Sequence, residues 1–170
     1  HYQSMSIEEE RAQMEASIAI HESLTGKKPA GWYTGRTSPN TLALLAERDD
    51  ILYCADSYAD DLPYYDKHYS KPLLMVPYTL DTNDMRFGTP QGFNSGDQFY
   101  TYLKDAFDVL YEEGASQPKM LSIGLHNRIV GRPARFAALK RFVEYVQGHD
   151  NVWLCTREEI ARHWQTHYPL

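Results

Sequence analysis

The chain has 170 residues, long enough for a sizeable core, and a formal net charge of −6 at pH 7. That acidic balance, with no basic run anywhere, argues against nucleic-acid binding. No stretch approaches the ~20 apolar residues of a membrane span and no signal-peptide pattern is visible, so no membrane partner and a cytoplasmic location are expected.

Ser6 and Glu9 have the spacing of a capping box, and Met14, Ile18, Ile20 and Leu24 supply apolar positions for a first helix that Gly26 ends. Residues 30–34 read as a short strand that delivers Trp32, Tyr33 and Arg36 to a turn. Ser38 then caps a second helix, with Pro39 in its first position and residues 42–46 in its body. Residues 51–58 read as a strand whose far end is acidic and aromatic, with Asp56, Tyr58, Asp60, Asp61, Tyr64 and Tyr65, and a long loop follows to Pro72. Residues 73–80 form the next strand, leading into Asp81, Asn83, Asp84 and Arg86. Ser95 and Gln98 make a second capping box, and Phe99, Leu103, Ala106 and Leu110 repeat at helical spacing until Gly114.

Residues 120–125 are an apolar run with a glycine inside it, the pattern of a buried parallel strand, and the run ends on His126. Residues 127–131 then read as a loop. Pro133 opens a helix with Phe136, Leu139, Val143 and Val146 on one face, ended by Gly148. Residues 152–155 are a last strand, and Thr156 with Glu159 caps a final helix with Ile160 and Trp164 inward. Cys54 and Cys155 fall in predicted strands without CxxC spacing, as expected of buried free thiols. Strands alternating with helices predict an α/β fold, a parallel sheet with helices outside, and no linker marks a second domain.

The polar residues follow the strands. Tyr33 and Arg36, Asp56 and Asp60, Asp81 and Asn83, and His126 each stand after one, the address of reacting groups in α/β folds. Side chains of these types suit a small polar ligand. Each has a plainer alternative: His126 as a structural imidazole, the aspartates as turn and cap residues, and Asp84 with Arg86 as a mutual ion pair. His163 and His167 stand four apart, as two zinc ligands on one helix face do, but no HExxH accompanies them and no metal is expected there. GxSxG, GxGxxG and P-loop patterns are absent.

Together, GWYTGRTSPNT, DSYADDLPYY, VPYTLDTNDMRF, GFNSGDQFYTYLKDAFDVLYEEG and LSIGLHNRIVGRPAR resemble the metal-independent, polysaccharide-deacetylase-like allantoinases of purine breakdown. The resemblance runs from Tyr2 to about Trp164. It implies part of a distorted (β/α) barrel of the polysaccharide deacetylase type, mainly parallel, with helices outside. His126 matches the histidine of the superfamily's LxH box, the general acid toward the leaving group. Residues 33–40 match its arginine-proline box, with Tyr33 at the arginine's place and Arg36 as the functional substitute. Asp81, Asn83 and Arg86 are implied pocket residues, and Trp32, Tyr33 and Arg36, which the first strand delivers to its turn, are expected to bind substrate with them. One position departs, Asn127, where the branch commonly has Cys. Tyr2 and Met5 match a Y-x-x-M that lies just downstream of the family's His-Gly-aromatic-Arg-Trp box. Residues 1–170 are therefore expected to be a single-domain fragment, the C-terminal half of such a barrel. The N-terminal half would be required and would carry the water-activating carboxylate.

The resemblance implies a hydrolase that opens the ring amide of allantoin to allantoate, acting on a small cyclic ureide without cofactor or metal, as a homo-oligomer. The alternatives are a metal-dependent polysaccharide N-deacetylase, a cyclic-imide hydrolase of the same fold, or a non-catalytic binding protein.

Overall fold

A computed structural model describes residues 4–170; Tyr2, where the resemblance begins, lies outside them. In chain order the elements are α1 (Ile7–Thr25), β1 (Gly31–Trp32), α2 (Thr41–Ala46), β2 (Tyr53–Cys54), β3 (Tyr64–Asp66), β4 (Leu73–Met75), a 3-10 helix (Asp84–Gly88), α3 (Gly96–Gly114), α4 (Asn127–Val130), α5 (Pro133–Gln147) and α6 (Arg157–His167). They fall into two compact units, the first running to Pro77 and including Cys155–Leu170, the second Tyr78–Leu154.

In the first unit, the Ser6 hydroxyl accepts from the Glu9 amide at 3.2 Å and the Glu9 carboxylate accepts from the Ser6 amide at 2.8 Å, so the capping box sets where α1 begins. Gly26 ends it in the left-handed conformation, φ 77°, which a glycine adopts without steric penalty. Glu10, Met14 and Ile18, four apart, form the buried face. Ile20 and Leu24, expected among the apolar positions, lie off that face and are exposed.

The sheet has the order β1-β2-β4-β3, with β1, β2 and β4 parallel and β3 antiparallel to β4. Side chains along β4 alternate between its two faces. Leu73 and Met75 join Met14, Ile18, Leu44, Leu45 and Cys54 on the side of α1 and α2. Leu74 and Val76 join Ala161, Ile160 and Trp164 of α6. Helices on both faces of a mostly parallel sheet are the α/β layering the alternation predicts. Arg157 of α6 donates to the carbonyls of Val76 and Pro77 at 2.7 and 2.9 Å, closing the end of β4.

The second unit is built on α3 against α5. Phe99, Leu103 and Phe107 pack on Ala138, Phe142 and Val146, each set four apart on its own helix. Gly96 permits the close approach: a Cβ there would lie 2.8 Å from the Ala134 carbonyl oxygen.

Several expectations are corrected. Residues 120–125 and 152–155 form no strand among the described residues, apart from a single parallel bridge between Asn83 and Gly124. An apolar run becomes a strand only where a neighbour accepts its backbone hydrogen bonds. The strands expected at 51–58 and 73–80 shrink to Tyr53–Cys54 and Leu73–Met75, and Tyr64–Asp66, expected as loop, pairs with β4. Residues 127–130 are helical, not loop. Helix α2 begins at Thr41, leaving Pro39 outside, because the Ser38 hydroxyl serves Glu10 and the Asn40 amide instead of a helix start. The Gln98 carbonyl accepts from Asn94, so only half of the second capping box forms. Cys54 is buried and Cys155 partly so, both free, and burial pushes the Cys54 thiol up to about 12. No helix among the described residues is long and apolar enough to cross a membrane.

Two ionic features of the first unit generate predictions. Glu10 is 1% exposed, and its carboxylate accepts from the hydroxyls of both Ser38 and Thr41. Glu10→Ala strands both hydroxyls and is expected to cost about 1–3 kcal/mol in denaturant unfolding. Exposed Glu8→Ala should stay within about 0.5 kcal/mol. Asp50 accepts from Arg48 at 2.7 and 2.8 Å and from Lys28 at 3.0 Å. The Arg48 hydrogen bonds, aided by Lys28 and opposed by partial burial, lower its carboxyl from 3.8 to about 2. A depressed folded value means the contribution is complete above the ordinary carboxylate range and is lost as pH falls toward 2. Asp50→Asn should therefore flatten unfolding stability between about pH 4 and pH 2, by less than about 1 kcal/mol because solvent screens the pair.

Candidate functional site

The second unit places His126 through a contact between two stretches of loop. The Asp84 amide donates to the Gly124 carbonyl and the Gly124 amide to the Thr82 carbonyl, both at 2.9 Å. The Thr82 hydroxyl adds a hydrogen bond to the Ser122 carbonyl at 2.5 Å. Gly124 is where the stretches touch: a Cβ there would lie 2.0 Å from Asn83 Nδ2 and 2.6 Å from the Tyr78 hydroxyl. Only glycine leaves room for this approach.

The pairing brings Asp84 to His126. Asp84 Oδ1 lies 2.6 Å from His126 Nδ1, while Oδ2 accepts from the backbone amides of His126 at 2.8 Å and Val130 at 3.1 Å. The carboxylate is fully buried, whereas the imidazole is 33% exposed. With Nδ1–H donated to the carboxylate, the proton of a neutral ring sits on Nδ1 and Nε2 carries the lone pair. The ring is held in one orientation, and Nε2 is the atom that takes or gives a proton. Asp84 is the partner of His126 that the sequence did not disclose, since its plain reading was an ion pair with Arg86.

Arg86 is engaged elsewhere. Its guanidinium lies over the rings of Phe93 and Tyr102, 4.7 and 4.5 Å from their centroids, and donates to the Asp81 carbonyl at 3.1 Å and carboxylate at 3.4 Å. The Tyr102 hydroxyl donates to the same carboxylate at 2.5 Å. Asp81 thus presents an exposed carboxylate braced by an aromatic–guanidinium stack. Asn83, expected as a pocket residue, is fully buried. Its amide donates to the Tyr78 hydroxyl and the Thr79 carbonyl, and its carbonyl accepts from the Met85 amide. Burial and complete pairing make it a support of the 3-10 helix; a ligand would have to displace those bonds.

The remaining candidates lie in the first unit. Tyr33 and Arg36 are exposed on the loop after β1, and the Tyr33 and Tyr58 hydroxyls are 3.4 Å apart. Trp32 packs against the α1–α2 side of the core, with its indole N–H buried and unpaired among the described residues. The structure thus joins His126 with Asp84 and Arg86 with Asp81 in one unit, and in the other leaves Trp32 in the core with Tyr33 and Arg36 on the loop beyond it. His163 and His167 stack at 4.1 Å on α6, and no group of three or more His, Cys, Asp or Glu among the described residues has the arrangement of a metal site.

No family model matches the chain. A Schizosaccharomyces pombe protein provisionally named a polysaccharide deacetylase is 43% identical over 185 residues, covering 99% of this chain and 58% of the relative. A crystal structure from Pseudomonas aeruginosa PAO1, also provisionally named a polysaccharide deacetylase, superposes with a TM-score of 0.95 at 60% identity over 99% of this chain and 57% of that one. The crystal structure of PuuE allantoinase superposes with a TM-score of 0.94 at 58% identity, over 99% and 57% respectively. A Mycobacterium smegmatis structure at 22% identity, TM-score 0.83, shares the fold, covering 98% of this chain and 59% of that one. The fold is of the polysaccharide deacetylase type. The chain spans 58% of the length of the curated relative it matches.

The carboxylate geometry makes a prediction about Asp84→Asn. An amide offers only one oxygen, and turning its NH₂ toward the two backbone amides would oppose donors to donors. The NH₂ therefore faces the ring, which must then accept at Nδ1 and carry its proton on Nε2. Nitrogen-15 NMR of the imidazole should report this tautomer switch, with a stability loss of about 1–3 kcal/mol. An unchanged Nδ1–H tautomer would refute the orienting role of Asp84.

Proposed function

We propose that the full-length protein is a hydrolase of cyclic amides that opens the ring of allantoin to allantoate, with His126 as the general acid. The observation that carries this reading is the buried Asp84 carboxylate holding the His126 ring, within a chain 58% identical to PuuE allantoinase. In amide hydrolysis, water adds to the carbonyl carbon, a tetrahedral oxyanion forms, and the C–N bond breaks as the nitrogen takes a proton. The protonated Nε2 of His126 supplies that proton, and the departing nitrogen leaves as an N–H. Asp84 fixes the direction of transfer by holding Nδ1. Arg36, a planar fork of donors, suits the paired oxygens of a ureide. Asp56 and Asp84 are both occupied by hydrogen bonds. We therefore assign water activation to the part of the relatives' length that these residues do not span.

A second reading, hydrolysis of N-acetyl groups on a polysaccharide, is favoured by the names of the S. pombe and P. aeruginosa proteins. The chemistry differs only in the acyl group and in the source of the activated water. Allantoin, other cyclic amides and acetylated oligosaccharides, each assayed on full-length protein with and without chelator, separate the two. Ring opening that survives chelation supports the first reading; deacetylation lost with a stoichiometric metal supports the second.

Loss of a general acid costs roughly 10²–10⁴-fold in rate. His126→Ala should lower kcat within about that range and change KM little, because the leaving nitrogen needs its proton only in the transition state. Arg36→Lys keeps the charge and loses the fork, and it should raise KM at least as much as it lowers kcat. Thermal melts run beside the kinetics separate these effects from unfolding. A His126→Ala protein that melts normally and keeps near-full turnover sinks the acid assignment.

A further inference from the structure

The carboxylate of Asp56, just beyond β2, reaches across to the loop that follows β1. Its Oδ2 accepts from the Thr34 amide at 2.7 Å and the Thr34 hydroxyl at 3.0 Å, and its Oδ1 accepts from the Gly35 amide at 2.6 Å. The Thr34 hydroxyl in turn accepts from the Arg36 amide at 3.3 Å. Consecutive amides of this loop therefore converge, directly or through one hydroxyl, on a single side chain. Gly35 adopts φ 70°, a left-handed conformation that costs little only in glycine. It turns the chain so that its own amide and that of Thr34 point at one carboxylate. Asp56 is itself anchored, since it follows Ala55, whose amide donates to the Trp32 carbonyl at 2.9 Å, extending the β1–β2 ladder. The loop is thus fixed to the sheet by one ionisable residue.

What that loop carries gives the arrangement its meaning. Tyr33 and Arg36, exposed, flank the two residues that Asp56 holds. The Tyr33 hydroxyl meets that of Tyr58, which stands two residues after Asp56. A carboxylate with three donors on it is poorly placed to act as a base, and solubility would not call for a part-buried one. We infer that Asp56 is a positioning residue: it holds the Tyr33–Arg36 loop in the conformation that presents Arg36 and the Tyr33–Tyr58 pair to a small, planar, oxygen-rich ligand. This rests on the cyclic-amide reading of the site, and it adds to that reading the residue that sets affinity from behind the ligand contacts.

Asp56→Asn in the full-length protein tests it. The amide keeps the size and offers one oxygen in place of two, so either Gly35 or Thr34 loses its acceptor. Three results are expected. Hydrogen exchange of the peptide covering residues 33–37 speeds up by about tenfold, while peptides from α1 and β4 are unchanged. KM for the cyclic amide turned over by the wild type rises roughly tenfold, with kcat within about threefold. In the Asp56→Asn, Arg36→Lys double variant the two KM effects combine to less than their product, because both act through one loop. If Asp56→Asn does not accumulate, Thr34→Ala removes the hydroxyl link alone and should show the same pattern at smaller size. Unchanged exchange at residues 33–37, or a loss of kcat and melting temperature with KM unmoved, overturns the inference. A wild type inactive on every cyclic amide overturns the functional reading and this inference with it. An active wild type with an indifferent Asp56→Asn overturns this inference alone.

Discussion

The buried carboxylate of Asp84 is the constraint on which the His126 site depends. A carboxylate removed from water is costly unless its oxygens are paired, and here one oxygen takes the imidazole and the other takes two backbone amides. The same group therefore fixes the ring, the backbone of the residue that bears it, and Val130 at the end of α4. Its position depends on Gly124, because the stretch carrying His126 can approach the Asp84 stretch only where no Cβ intervenes.

The first unit repeats the device. Asp56 collects the amides of the loop after β1, much as Asp84 collects those around His126. Glu10 collects the hydroxyls that shape the approach to α2. For Asp56 and Asp84 a short polar side chain replaces the regular hydrogen bonding that a loop cannot supply for itself, while Glu10 instead satisfies two side-chain hydroxyls. Asp56 binds Thr34 and Gly35, between the exposed Tyr33 and Arg36, while exposed Asp81 is braced separately by Arg86 and Tyr102.

The relatives sharpen what these features are for without assigning them. Identity near 60% over almost the whole chain, with TM-scores of 0.94 and 0.95, ties the fold to structures named for two different hydrolyses of a C–N bond. The choice between those chemistries turns on the acyl group and on how water is activated. Both reactions need a proton for the leaving nitrogen, the role proposed for His126 with Asp84 behind it.

Local signals determined much of this chain. The capping boxes at Ser6 and Thr156, the stop at Gly26 and the helical spacing of Phe99 and Leu103 were legible because each acts between residues within one or two turns, whereas Phe107, not Ala106 or Leu110, completes the buried face of α3. The address of His126, after an apolar run and before Pro133, was legible for the same reason, and so was the α/β alternation. Tertiary structure alone decided the rest. Whether residues 120–125 become a strand depends on a partner that sequence spacing does not reveal, and the antiparallel β3 exists only because β4 offers it an edge. Asp84 reads locally as one acid among Asp81, Asn83 and Arg86. Its role appears only when residues 42 positions apart are brought to 2.6 Å, while Arg86 turns instead to Phe93, Tyr102 and Asp81. Hydrogen bonds of that range are specified by packing, and a pattern read along the chain does not contain them.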